Sequence, residues 1–211
     1  EFGSRVFKAV ELFDPLTDEG GDILVSVRKG GGRFREDRSF YGNIVRLNTL
    51  TAKEKRVVFN RGDILQFVAD REKIIRIGVA QHGLIRTILH RRNPESDWEE
   101  VYSGDFRTAI APLGFGKNPD ILYVAAPNGD KKALFQFDLK AKKLGRMIFT
   151  HPTYDVPAGP PIVSEKTGKV LGVRYEAERP QVYWFDKDYQ QYQAMIDNAL
   201  PGMANDIKNW S

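Results

Sequence analysis

Ala133-Leu-Phe-Gln-Phe-Asp138 is a short, largely apolar stretch that ends on a polar residue, and its form occurs three more times. The other copies are Asn43-Ile-Val-Arg-Leu-Asn48, Ile85-Arg-Thr-Ile-Leu-His90 and Gln181-Val-Tyr-Trp-Phe-Asp186. Apolar runs of this length, rich in β-branched and aromatic residues and bounded by turn residues, read as β-strands. Their final residues, Asn48, His90, Asp138 and Asp186, lie 42, 48 and 48 positions apart. That interval is the length of a four-stranded β-propeller blade, about 40–50 residues.

Neighbouring segments recur with it. Upstream of each copy lies a second short strand: Asp22-Ile-Leu-Val-Ser-Val27, Ile75-Arg-Ile-Gly-Val-Ala80, Asp120-Ile-Leu-Tyr-Val-Ala125 and Lys169-Val-Leu-Gly-Val-Arg174. Downstream of the first three come a polar turn and another strand, at Arg56-Val-Val-Phe59, Trp98-Glu-Glu-Val-Tyr102 and Arg146-Met-Ile-Phe149. Hairpin connections throughout imply antiparallel sheets. The fourth copy departs from this pattern. After it, Asp188 is placed to cap a helix through Tyr189, Tyr192, Met195, Ile196 and Ala199, which Pro201-Gly202 ends.

The expected fold is therefore all-β: a partial β-propeller of about four blades of antiparallel strands, with one short helix near the C-terminus. The blades are expected at roughly 5–60, 61–104, 105–155 and 156–204, and 205–211 reads as the start of a further one. Residues 1–4, Glu-Phe-Gly-Ser, read as a vector remnant ahead of a propeller fragment over 5–211. A chain that stops inside a repeat reads as a cut piece, and sheet faces left open at the cut are expected to drive self-association. An all-β sandwich with similar strand spacing is the competing architecture.

Composition narrows the functional classes. The 211 residues hold 41% hydrophobic and 28% charged residues, as in an ordinary globular chain. No run approaches about 18 consecutive apolar residues, the length a membrane-spanning helix needs. There is no cysteine, so disulfides, thiolate nucleophiles and cysteine zinc sites are excluded together. The net charge of +4 is spread among interleaved acids and bases, which argues against nucleic-acid binding. The compartment stays open between the cytoplasm and periplasm of a bacterium.

The sequence offers no catalytic machinery. A nucleophile elbow needs Gly-x-Ser-x-Gly, and none of Ser26, Ser39, Ser96, Ser103 or Ser164 sits in one. His82, His90 and His151 lack the i, i+4 spacing of a zinc helix, so no metal or other cofactor is expected. Lys29-Gly-Gly-Gly-Arg33, with Arg28, Arg35 and Arg38 nearby, lacks the Gly-Lys-Ser/Thr and the helix of a phosphate loop. Gly114-Phe-Gly-Lys117 fails the same test, because Asn118-Pro119 follows. Trp98, Tyr183, Trp184 and Phe185 read as packing between sheets.

Several motifs resemble the propeller of prolyl oligopeptidase-family serine peptidases, in particular the bacterial dipeptidyl aminopeptidase/acylaminoacyl-peptidase type. They are Pro112-Leu-Gly-Phe115, Asp120-Ile-Leu-Tyr-Val124, Leu134-Phe-Gln-Phe-Asp138 and Phe149-Thr-His-Pro152. Asp155-Val156, Gly168-Lys-Val-Leu-Gly-Val-Arg-Tyr-Glu176, Arg179-Pro180, Trp184-Phe-Asp186, Ala199-Leu-Pro-Gly202 and Asn209-Trp-Ser211 continue the likeness. The resemblance covers most of 20–211 and is strongest from about 105 onward. It implies a propeller, commonly seven-bladed, that lies as a lid over an α/β-hydrolase domain and admits small or unfolded peptides. On that reading this chain holds no catalytic residue, and its partners are the hydrolase domain of a parent chain and peptide substrates, with neither nucleic acid nor membrane. A freestanding protein-binding propeller with no hydrolase partner domain is the alternative. Glu176, Glu178 and Arg179 are the candidate substrate-binding residues, since loop carboxylates can hold a peptide's N-terminal ammonium, as acidic residues do in related aminopeptidases. A solvated hairpin is the plainer reading of the same three.

Overall fold

The computed structural model describes residues 8–16, 20–29, 42–60, 62–105 and 107–207. The expected vector remnant at 1–4, the glycine-rich stretch beyond Lys29 with Arg33, Arg35, Arg38 and Ser39, and the last expected strand residues at 208–211 lie outside them.

The strands arrange in chain order as four antiparallel meanders. The first sheet holds β1 (Lys8–Asp14), β2 (Asp22–Lys29), β3 (Asn43–Asn48) and β4 (Glu54–Val58). The second holds β5 (Ile64–Ala69), β6 (Ile75–His82), β7 (Ile85–His90) and β8 (Glu99–Gly104). The third holds β9 (Ala111–Phe115), β10 (Ile121–Asn128), β11 (Lys131–Asp138) and β12 (Lys143–Phe149). Among the described residues the fourth has three strands, β13 (Ile162–Val163), β14 (Val170–Glu176) and β15 (Pro180–Trp184), and is followed by α1 (Lys187–Ala199). Four such sheets in sequence, with β5 beside β9, form a four-blade propeller arrangement.

The repeated polar residue at the end of each third strand has a physical task. Asn48 Oδ1 accepts hydrogen bonds from the amides of Leu50 and Thr51, and Asp138 Oδ1 accepts from those of Lys140 and Ala141. Each side chain thus starts the turn to the fourth strand. In the second sheet the task passes from His90 to Asn93, which accepts from the amides of Glu95 and Ser96. Asp186 takes the same role but opens a helix instead of a turn. It is the N-cap of α1, and its carboxylate accepts from the amide of Asp188. The cap is therefore Asp186, and the expected cap, Asp188, sits in the first helical turn. The extended backbone of Asp186 fits it for the cap, while the acid of Asp188 suits the positive end of the helix.

Neighbouring sheets pack face to face. Leu24, Ile44 and Val58 of the first meet Ile64, Phe67 and Ile75 of the second. Ile77, Val79 and Ile88 of the second meet Leu122, Val124 and Phe137 of the third. Leu134 of the third meets Val173 of the fourth, with Val156 from the intervening loop. In the fourth sheet a further cluster of Ile162, Leu171 and Trp184 meets the chain's own helix, where Trp184 stacks on Tyr189 with ring centroids 5.0 Å apart.

Leu122 is wholly buried in the largest of these clusters. Leu122→Ala is expected to lower unfolding free energy by about 2–5 kcal/mol. Urea denaturation of the two proteins measures the difference.

Candidate functional site

The turns between first and second strands gather at one end of the sheets. Here the β5–β6 turn, the residues after β7 and the β9–β10 connection enclose a cleft of about 380 Å³. Its charged lining comprises Asp70, Arg71, Glu72, Arg76, Arg92 and Lys117.

Asp70 builds the first wall. Its Oδ1 accepts from the amides of Glu72 and Ile74 at 2.9 and 3.0 Å, which shapes the tight turn into β6. Its Oδ2 lies 3.5 Å from Arg76 Nη1. Arg76 follows Ile75 in a strand that is buried from Ile75 to Ala80, so its guanidinium enters the cleft from a nearly dry wall. The side chain is 10% exposed, and its Nε finds no hydrogen-bond partner.

The third and fourth sheets close the other side. Gly168, in the β13–β14 turn, has φ +71°, and a Cβ there would come 2.5 Å from Arg71 Nη1 and 2.9 Å from Lys117 Cα. Only glycine lets that turn approach so closely in this conformation. Arg71 completes the junction by donating from Nη2 to the Glu165 carbonyl. The turns of three sheets are thereby drawn around one basic opening.

His90 lies buried behind this wall, with Nε2 unpartnered. Burial chiefly, and then the Arg76 charge, push its pKa down to about 4, against an opposing pull from Glu99. The other two histidines stand apart. His82 Nε2 is 3.6 Å from Asp63, and His151 Nδ1 accepts from the amides of Thr153 and Tyr154.

The sequence candidates lie elsewhere. Glu176 ends β14, and Glu178 and Arg179 occupy the β14–β15 turn, all exposed. β14 begins beside the cleft turn at Gly168, so the three sit at the opposite end of the sheet. Arg179 Nη1 donates to the Gly202 carbonyl at 2.6 Å, which ties the hairpin to the segment after α1. Of the aromatics, Trp184 is buried, Trp98 packs on Phe67 and under Arg91, and Tyr183 stacks on Phe149 at 4.2 Å while staying 44% exposed. Sequence reading missed the basic cleft. Arg76 was the available signal: a charge inside an otherwise apolar strand between Ile75 and Ile77.

Four consecutive meanders packed face to face decide the architecture. The fold is that of a β-propeller. No protein-family model matches the chain, and none of the curated proteins matches it. Among solved structures, the propeller resembles the crystal structure of TolB from Acinetobacter baumannii, at 17% identity and a TM-score of 0.48. The match covers 69% of this chain and 35% of that one, so this propeller segment corresponds to about a third of its neighbour. These comparisons do not reach the peptidase family that the sequence motifs resemble.

His90 sets a pH dependence of stability. Unfolded, it titrates near 6.5, and folded near 4, so on acidification the unfolded chain takes the proton first. This contribution is full above the unfolded value and is lost as pH falls from about 6.5 through about 4. The thermal midpoint is expected to drop between about pH 7 and about pH 5, above most carboxylate titrations, and to drop less in His90→Gln. Thermal melts across that range check it.

Proposed function

We propose that this chain is the non-catalytic, access-gating propeller segment of a prolyl oligopeptidase-like serine peptidase acting on peptides. The fourth sheet carries the reading. There the motif residues that resemble the family each take a structural task in one continuous unit. Gly168 makes the tight turn before β14, Pro180 opens β15, Trp184 packs on α1, and Asp186 caps it. Gly202, at φ +78°, turns the chain after the helix and accepts from Arg179. This unit breaks the four-strand repeat within the stretch, from about 105 onward, where the likeness is strongest.

In this reading hydrolysis belongs to a Ser-Asp-His triad on a hydrolase domain of the parent chain, through an acyl-enzyme intermediate. The propeller limits which peptides reach it, and Glu176 and Glu178 are candidates for holding a peptide's ammonium group. The full-length parent chain is expected to cleave short peptides and to spare folded proteins. Replacing the serine of its Gly-x-Ser-x-Gly motif should abolish that cleavage. A parent chain without such a domain, or inert toward peptides, would overturn the reading in favour of a freestanding binding propeller.

Self-association of this segment belongs to the same proposal. β1 carries Val10 and Leu12 at 58% and 60% exposure, neighbours on one apolar sheet face. Exposed apolar sheet surface of this kind favours contact with a second copy. Sedimentation of the 211-residue chain is expected to show an apparent mass that rises with concentration. A constant monomer mass would refute it.

A further inference from the structure

We infer that the cleft between the second and third sheets is an oxyanion-binding site, taking a carboxylate or phosphate group carried by a small ligand. The inference stands on the cleft alone and does not depend on the peptidase reading.

Charge comes first. Arg71, Arg76, Arg92 and Lys117 face Asp70 and Glu72, four cations against two carboxylates, so the opening holds two positive charges in excess. The lining acids quench it only in part, and Asp120 and Glu99, outside the lining, feel the charges of Arg76 and Arg92. Asp70 spends Oδ1 on two backbone amides and meets Arg76 only at 3.5 Å. The side chains of Arg92 and Lys117 make no hydrogen bond or ion pair among the described residues, and both are exposed at the rim.

Burial adds the second argument. Arg76 is nine-tenths removed from water, its Nε is unpartnered, its contact with Asp70 is long, and Asp120 reaches it only through its charge. A guanidinium in such a place calls for a further acceptor. Its planar fork matches the paired oxygens of a carboxylate or phosphate, which is the pairing arginine makes best. Low local polarizability of the wall strengthens attraction for an anion that enters.

Construction is the third. Gly168 permits an approach of the β13–β14 turn that a Cβ would block, and Arg71 fastens that turn by donating to the Glu165 carbonyl. The cations thus come from the second and third sheets, and a turn of the fourth holds Arg71, so they are not scattered along one surface strand. A volume of about 380 Å³ admits an anionic headgroup or the last residues of a peptide.

Calorimetric titration of the 211-residue chain tests this, with inorganic phosphate, trialanine and trialanine amide as probes. At least one of phosphate and trialanine is expected to bind, and the amide to bind about tenfold more weakly than the acid. Binding of trialanine alone assigns the site to peptide carboxylates, and binding of phosphate alone assigns it to phosphate. Binding of both leaves an oxyanion site without preference. Lys117→Glu and Arg92→Glu, at exposed positions, are each expected to weaken binding about tenfold or more with an unchanged thermal midpoint. Arg76→Met is expected to abolish it, and the two rim variants keep the test open if that protein does not fold. The inference is overturned if neither phosphate nor trialanine binds, if the amide binds as tightly as the acid while phosphate does not bind, or if both rim variants bind like the parent.

Discussion

Neighbouring sheets here cover one another's apolar faces, and the fold depends on that packing. A single four-stranded sheet leaves one face to water or to another element, and short strands of this kind are not stable alone. Stacking solves this by making each sheet the cover of the next. The second strands record the result: β6 is buried continuously from Ile75 to Ala80, and β10 from Val124 to Ala126. Such runs lose the in–out alternation of a sheet with one wet face. Three of the cores lie between sheets and the fourth between a sheet and the helix, so local strands and long-range packing stabilise each other.

The same constraint explains what the sequence disclosed and what it hid. The third strands were legible because they combine apolar residues with a polar end, and β3 and β7 begin and end where the pattern predicts. Asn48 and Asp138 recur because an Asx side chain is the cheapest way to start the next turn. The first strands left fainter marks. β9 carries Pro112 and Gly114 and β13 has two residues, so neither propensity nor periodicity announces them. The shift from His90 to Asn93 also shows a limit of alignment by strand ends. Measured at the turn-forming side chain, Asn48, Asn93 and Asp138 are an even 45 positions apart.

The cleft was illegible for a different reason. Its cations come from positions 71, 76, 92 and 117, on the β5–β6 hairpin, the segment after β7 and the β9–β10 connection, and only the fold brings all four together. No linear motif spans them. Gly116 and Lys117 did appear in a glycine-containing stretch, but a phosphate-loop template is the wrong question for a site made of turns. Arg76 alone carried a local warning, because a buried strand rarely holds a charge without a use for it. Glu176, Glu178 and Arg179 illustrate the converse. They were conspicuous in sequence as clustered charges, and they occupy a single exposed hairpin at the other end.

The helix after the fourth sheet changes the symmetry of the stack. Each earlier sheet presents its neighbour with strands, so the same packing rule can be applied again and again. Past Trp184 the chain departs from that rule, and Tyr189 of the helix stacks on the Trp184 ring. What that end offers instead is Tyr192, Met195, Leu200 and Met203, rounded and adaptable side chains on a curved support. The array therefore has polarity, like a row of tiles with one bevelled edge. A body that meets the fourth sheet on its helix side must therefore read a different shape from one that meets strands alone.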